Sequence, residues 1–161
     1  MQIKELYKKT LFNIFIILFI FLLDRFSKYF VLEFFNKTNE KDIIITSFLS
    51  LNLLWNEGIA FGLFQSKETI FYNFITILIV LVLCFVAWLA SKSNRLEKIC
   101  YLIIIGGGLG NTFDRLYYGS VMDFIDLNYK NFHWFIFNVA DIFITIGVLI
   151  LIFLEFTKKN D

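Results

Sequence analysis

The sequence predicts an all-α membrane protein, with four transmembrane helices carrying a small extracytoplasmic β-sheet. Three observations predict it. Hydrophobic residues make up 58% of the 161 and charged residues 18%, against about 45–50% and about 25% in soluble domains. The apolar residues gather in four runs, each near the roughly 20 residues needed to cross a hydrocarbon core of about 30 Å. The segment after the first run is instead β-branched and partly alternating, which is a strand signal. Apolar runs seldom fill most of a soluble chain, so a soluble bundle is set aside. The length suits one integral domain, 1–161.

The first helix is expected over 11–31. A basic start precedes it, but Asp24, Arg25 and Lys28 stand where a secretory signal would have small residues, so it reads as a retained helix. Asp24 and Lys28 lie four apart on one face, the acid N-terminal to the base, the better orientation for an ion pair. The outer loop 32–68 has a polar, turn-like part, Asn36 to Asp42, then an extended part, Ile43 to Leu54. Trp55 reads as an interfacial anchor. The second helix, 69–90, holds no charge, and Cys84 within it reads as a small buried hydrophobe. The third, 99–117, carries Gly106 and Gly110 at the small-xxx-small spacing that lets membrane helices approach closely. The loop 118–137 ends in the aromatic group Phe132-His133-Trp134-Phe135, suited to a membrane interface. The fourth helix, 138–156, opens on Asn138, a strong N-cap, with Asp141 near the positive end of its dipole.

Charge sets the orientation. Lys4, Lys8 and Lys9 precede the first run, Lys92, Arg95 and Lys98 separate the second from the third, and Lys158 and Lys159 follow the fourth. Lys37, Lys41, Lys67 and Lys130 are spread over two much longer loops. Short loops rich in Lys and Arg stay cytoplasmic, so both termini are expected inside and both long loops outside. A net charge of +1 with no long basic run points to no nucleic-acid partner. Cys84 and Cys100 fall at different depths, against a disulfide, and the lone His133 lies on the opposite side from Cys100, against Cys–His catalysis.

That topology makes a prediction no single motif makes. Asp24 comes at the outer end of the first helix, Asn111, Asp114 and Arg115 at the outer end of the third, and Asn138 and Asp141 at the outer start of the fourth. Asn56 and Asp123 join them from the outer loops, giving one polar layer near the outer surface. Ionised carboxylates there are costly unless paired, and so mark a functional site. Paired carboxylates suit the residues best: Asp123 and Asp141, 18 positions apart, would share a proton, one activating water while the other polarises a carbonyl. Ser27 and Lys28 are neighbours whose side chains diverge on a helix, and no metal-loop spacing is present. Asp126 reads as a solvated acid and Asp114 with Arg115 as an ion-pair element. A proton-coupled transporter or channel subunit is the alternative, but it calls for ionisable groups at several depths. A structural or assembly protein leaves the acids unexplained.

The motifs Asn56-Glu57-Gly58-Ile59-Ala60-Phe61, Gly110-Asn111-Thr112-Phe113-Asp114-Arg115, Gly119-Ser120-Val121-Met122-Asp123-Phe124 and Phe137-Asn138-Val139-Ala140-Asp141 resemble those of the lipoprotein signal peptidases, or type II signal peptidases. Asp24 and Lys28 match as well, so the resemblance runs over 24–141; Ile59 departs from it, where a smaller residue is common. The resemblance implies an integral inner-membrane aspartyl endopeptidase with Asp123 and Asp141 as catalytic dyad. Asp24, Lys28, Asn56, Gly58, Asn111, Asp114, Arg115 and Asn138 would bind substrate or support the dyad, with no metal and no cofactor. It further implies an outer loop or helix over the site. The implied substrates are diacylglyceryl-modified bacterial prolipoproteins, cut just before the lipidated cysteine. Membrane lipid and globomycin-type inhibitors are the other implied partners, and the expected state is a monomer.

Overall fold

The first helix is far longer than the apolar run that predicts it. In the computed structural model, which describes residues 2–38, 40, 42–58, 69–129 and 132–158, α1 spans Gln2–Thr38. Its 37 residues reach about 55 Å at 1.5 Å each, well beyond a hydrocarbon core of about 30 Å. Its polar ends carry their own support. Lys8 pairs with Glu5 at 3.8 Å, and Lys37 Nζ donates to Glu33 Oε1 at 2.7 Å. These same-face pairs suit residues of good helix propensity, so the helix runs through Asn36 and Lys37, where the sequence suggests a turn.

The remaining helices are α2, Thr69–Lys92; α3, Arg95–Tyr118; and α4, Val139–Lys158. Glu97 Oε2 accepts from Asn94 N at 3.3 Å where α3 begins. Gly119, at φ 74, ends it in the left-handed conformation that glycine adopts without strain. Among the described residues, three of the four helices, over Lys4–Thr38, Ile70–Lys92 and Val139–Lys158, are long and apolar enough to cross a membrane. Helix α3 is diluted by glycines and by Asn111, Asp114 and Arg115. It packs against α1, α2 and α4, so its polar groups meet protein rather than lipid.

Glycines set how close these helices come. A Cβ on Gly110 would stand 2.7 Å from Asp24 Oδ2 on α1, and one on Gly107 would stand 2.6 Å from the Ala140 carbonyl oxygen on α4. Gly106 meets Ile20 and the Ile17 carbonyl, so the Gly106/Gly110 spacing does serve close packing.

The small sheet is antiparallel with order β1-β2-β3-β4: β1, Asp42–Thr46; β2, Leu49–Asn56; β3, Val121–Tyr129; and β4, Phe132–Phe137. Strands β1 and β2 occupy the extended segment expected after the first helix. Strands β3 and β4 replace what the sequence presents as a loop; within β3, Asp123 and Asp126 interrupt the apolar alternation. The register slips between Leu51, opposite Ile125, and Leu54, opposite Asp123, an extra β2 residue beside the acid.

Outward from the helices stand large apolar side chains, among them Phe15, Phe19, Phe74, Phe85 and Phe153, each at least half exposed. Such a surface fits lipid rather than water, and the chain is a multi-pass membrane protein. Cys84 lies on that surface, not in the interior as expected, while Cys100 is buried. Residues 59–68, where part of the expected outer loop or helix falls, lie outside the described residues, as does the side chain of His133.

Candidate active site

Four elements converge on two carboxylates. Asp123 is the third residue of β3, and its diagonal neighbour on β2, Asn56, donates Nδ2 to Asp123 Oδ2 at 2.9 Å. Asn138 donates Nδ2 to the other oxygen, Oδ1, at 2.6 Å. Asp141 sits in the first turn of α4, where it and Asn138 cap one another. Asp141 N donates to Asn138 Oδ1 at 3.1 Å, and Asn138 N to Asp141 Oδ2 at 3.2 Å. This is the reciprocal arrangement of a capping box with Asp in the Glu place. Asn111, from α3, donates Nδ2 to Asp141 Oδ1 at 2.8 Å.

Each of the three amides is aimed by what holds its oxygen. Gly58 N donates to Asn56 Oδ1 at 2.8 Å, Lys28 Nζ to Asn111 Oδ1 at 3.0 Å, and Asp141 N to Asn138 Oδ1. With each carbonyl end taken by a donor, the NH2 end turns to the carboxylates. Those bonds favour the ionised form. Burial opposes them and dominates at Asp123, which is 2% exposed. Burial first, then the negative charge of Asp141, lifts its pKa from 3.8 to about 6, against the pull of Asn56, Asn138 and Lys28.

Behind the amides lies a buried ion cluster. Lys28 Nζ meets Asp24 Oδ2 at 3.0 Å and Asp114 Oδ2 at 2.7 Å. Arg25 meets the same two acids, Asp24 Oδ2 at 2.6 Å and Asp114 Oδ1 in a short contact. Asp24 Oδ1 accepts from Ala140 N at 3.0 Å, tying α1 to the first turn of α4. Asp114 Oδ2 accepts from Met122 N at 3.3 Å, tying α3 to the strand that carries Asp123. Arg115 donates to the Gly58 carbonyl, with its guanidinium 5.6 Å from the Tyr72 ring. All ten residues singled out in the sequence thus meet in one region. Arg25 joins them unannounced; its only signal was its place between Asp24 and Lys28. Asp126 is fully buried, not solvated, and accepts from Ser50 Oγ at 3.3 Å.

A cavity of about 640 Å³ opens beside the acids. One face each of α2 (Leu78, Val82, Val86), α3 (Ile104, Gly108) and α4 (Ile144, Val148) supplies an apolar wall. Asn56, Asn111, Arg115, Asp123 and Asp141 supply the polar end. Two carboxylates sharing such a space can hold a water between a base and an acid.

The family model described as signal peptidase (SPase) II matches residues 16–157. The chain belongs to the signal peptidase II family. The lipoprotein signal peptidase of Pelagibacter ubique (strain HTCC1062) is 47% identical over 148 residues, covering 92% of this chain and 89% of that one. That of Anaplasma marginale (strain Florida) is 37% identical over 150 residues, covering 92% and 86%. A solved structure described as a bacterial membrane enzyme superposes with TM-score 0.74 at 29% identity, covering 91% of this chain and 88% of that one. Signal peptidases are proteases, so the chain is placed among enzymes.

Proposed function

We propose that this signal peptidase II family member removes signal peptides from prolipoproteins, using Asp123 and Asp141 as its reacting groups. The observation that carries the reading is that both acids line one largely apolar cavity, each held by asparagine amides. The pair shares one proton. The ionised member takes a proton from water as its oxygen attacks the scissile carbonyl carbon, and the protonated member gives its proton to the carbonyl oxygen. The resulting gem-diol returns that proton as the carbonyl re-forms. The C–N bond breaks as the leaving nitrogen takes the proton first drawn from water. No metal, cofactor or covalent intermediate enters.

The site's surroundings fit a lipidated substrate. All four helices cross the bacterial inner membrane, with both termini cytoplasmic and the sheet on the outer face. Asp24, Lys28, Asn56, Gly58, Asn111, Asp114, Arg115 and Asn138 hold the pair in place at that face. A diacylglyceryl-modified cysteine puts the bond beside it at surface depth, level with the acids. The apolar walls receive the signal segment, and the acyl chains stay in lipid. Globomycin-type inhibitors compete for the same groove, and the working unit is a monomer. The test is a cleavage assay with a lipidated peptide and its unlipidated twin, each with EDTA present. Cleavage of the lipidated peptide alone, undiminished by EDTA, is expected. Equal cleavage of both, or loss with EDTA, would overturn the substrate class or the metal-free chemistry.

A further inference from the structure

Arg25 lies outside the three asparagines and two aspartates, yet its guanidinium is the piece that closes the ion cluster behind them. It reaches Asp24 Oδ2 at 2.6 Å, Asp114 Oδ1 in a short contact, and the Gly110 carbonyl at 3.2 Å. Its Cζ stands 4.9 Å from the Phe113 ring centroid, so packing as well as charge fixes the fork. Two cations thereby face two carboxylates that are fully buried. Without Arg25, the backbone donors Ala140 N and Met122 N would remain, but the one cation contacting both acids would be the Lys28 ammonium, whose third contact is Asn111 Oδ1 at 3.0 Å. That contact turns Asn111 so that Nδ2 meets Asp141. Removing one partner of a buried ion pair leaves an uncompensated charge, which here strengthens the pull of both carboxylates on Lys28 Nζ, already 3.0 and 2.7 Å from them.

We propose that Arg25 is a positioning residue for the hydrolysis: by bridging Asp24 and Asp114 it leaves Lys28 on Asn111, and so holds Asn111 on Asp141. The proposal rests on Asp123 and Asp141 being the reacting pair. The charged groups packed around that pair, among the described residues, are Asp24, Arg25 and Lys28 from α1 and Asp114 and Arg115 from α3. Removing Arg25 therefore makes the surroundings one charge more negative, which disfavours ionised Asp123.

The test compares purified full-length native protein with Arg25→Met, Arg25→Lys and Asp141→Asn, by steady-state cleavage of a lipidated peptide across pH. Arg25→Met should lower kcat about tenfold or more, since small misplacements of reacting groups cost that much, with KM within about twofold. The acid limb of its kcat/KM profile should move to higher pH. Arg25→Lys keeps the charge but reaches only one carboxylate. It should return the acid limb to the native position while kcat stays several-fold down. A kcat within about twofold of native in both variants, or a loss carried by KM alone, would overturn the proposal. Should Arg25→Met not be recovered folded, Arg25→Lys decides alone, and native kcat there overturns it. Asp141→Asn separates the levels: activity in that variant means the reacting pair itself is misassigned, whereas its inactivity beside a normal Arg25→Met means only the positioning role fails.

Discussion

Asn138 performs two tasks with one side chain, and substitution can separate them. Its Oδ1 caps α4 through Asp141 N, and its Nδ2 donates to Asp123 at 2.6 Å. Asn138→Ser keeps an oxygen that caps about as well as Asn, but that side chain is too short to reach Asp123 while it caps. A hydrogen bond to a charged group contributes about 1.5–3 kcal/mol. At 1.36 kcal/mol per tenfold, that corresponds to a drop of about 10- to 150-fold in kcat/KM. The same bond opposes burial at Asp123, so its loss should raise that pKa above about 6 and move the acid limb of kcat/KM to higher pH. Thermal unfolding should fall somewhat in Asn138→Ser, since buried Asp123 loses a donor. Asn138→Ala, which loses the cap too, should be about 1 kcal/mol less stable. The assay is cleavage of a lipidated peptide across pH, beside a melting curve in the same detergent. Asn138→Ser with native kcat/KM and an unmoved acid limb would refute the claim that this amide works on the dyad.

Two further outcomes follow from the same geometry. Gly107→Ala would put its Cβ 2.6 Å from the Ala140 carbonyl oxygen, next to Asp141. It should cost about 1–3 kcal/mol and most of the activity, whereas Gly119→Ala, at φ 74 with open space around it, should cost about 1–2 kcal/mol and spare activity; paired melting and turnover measurements on both variants check this. Asp123 is protonated more readily in the folded state, so the folded chain holds the extra proton between its ordinary 3.8 and about 6. Stability should therefore fall as pH rises through that window and level off above it. Denaturant titrations at several pH values should show a shallower slope for Asp123→Asn.

The sequence made some of this site readable because helical spacing is short-range and regular. Asp24 and Lys28 are four apart and do pair; Asn138 and Asp141 are three apart and do cap one another. The alternation of helix direction then collected Asn111, Asp114 and Arg115 with Asp141. What escaped depends on contacts between distant segments. Arg25 is one position from Asp24, hence about a quarter-turn around the helix, and only its long side chain brings the fork back onto Asp24 and Asp114. Asp126 read as solvated because nothing local hints that Ser50 would lie across from it. Strand β3 hid because Asp123 and Asp126 interrupt its pattern, and pairing with β2 on one side and β4 on the other makes it a strand. The extra length of α1 rests on pairs such as Glu33–Lys37, which turn a polar stretch that looks like a turn into one more helical segment.

Single-turnover cleavage of a lipidated prolipoprotein peptide by purified Asp123→Asn and Asp141→Asn, in EDTA and with folding verified by melting, tests the central claim most directly. Native protein should cleave with metal withheld, and each variant should be folded and inactive. Native-rate cleavage by either variant would contradict the account, since no water would then need that carboxylate.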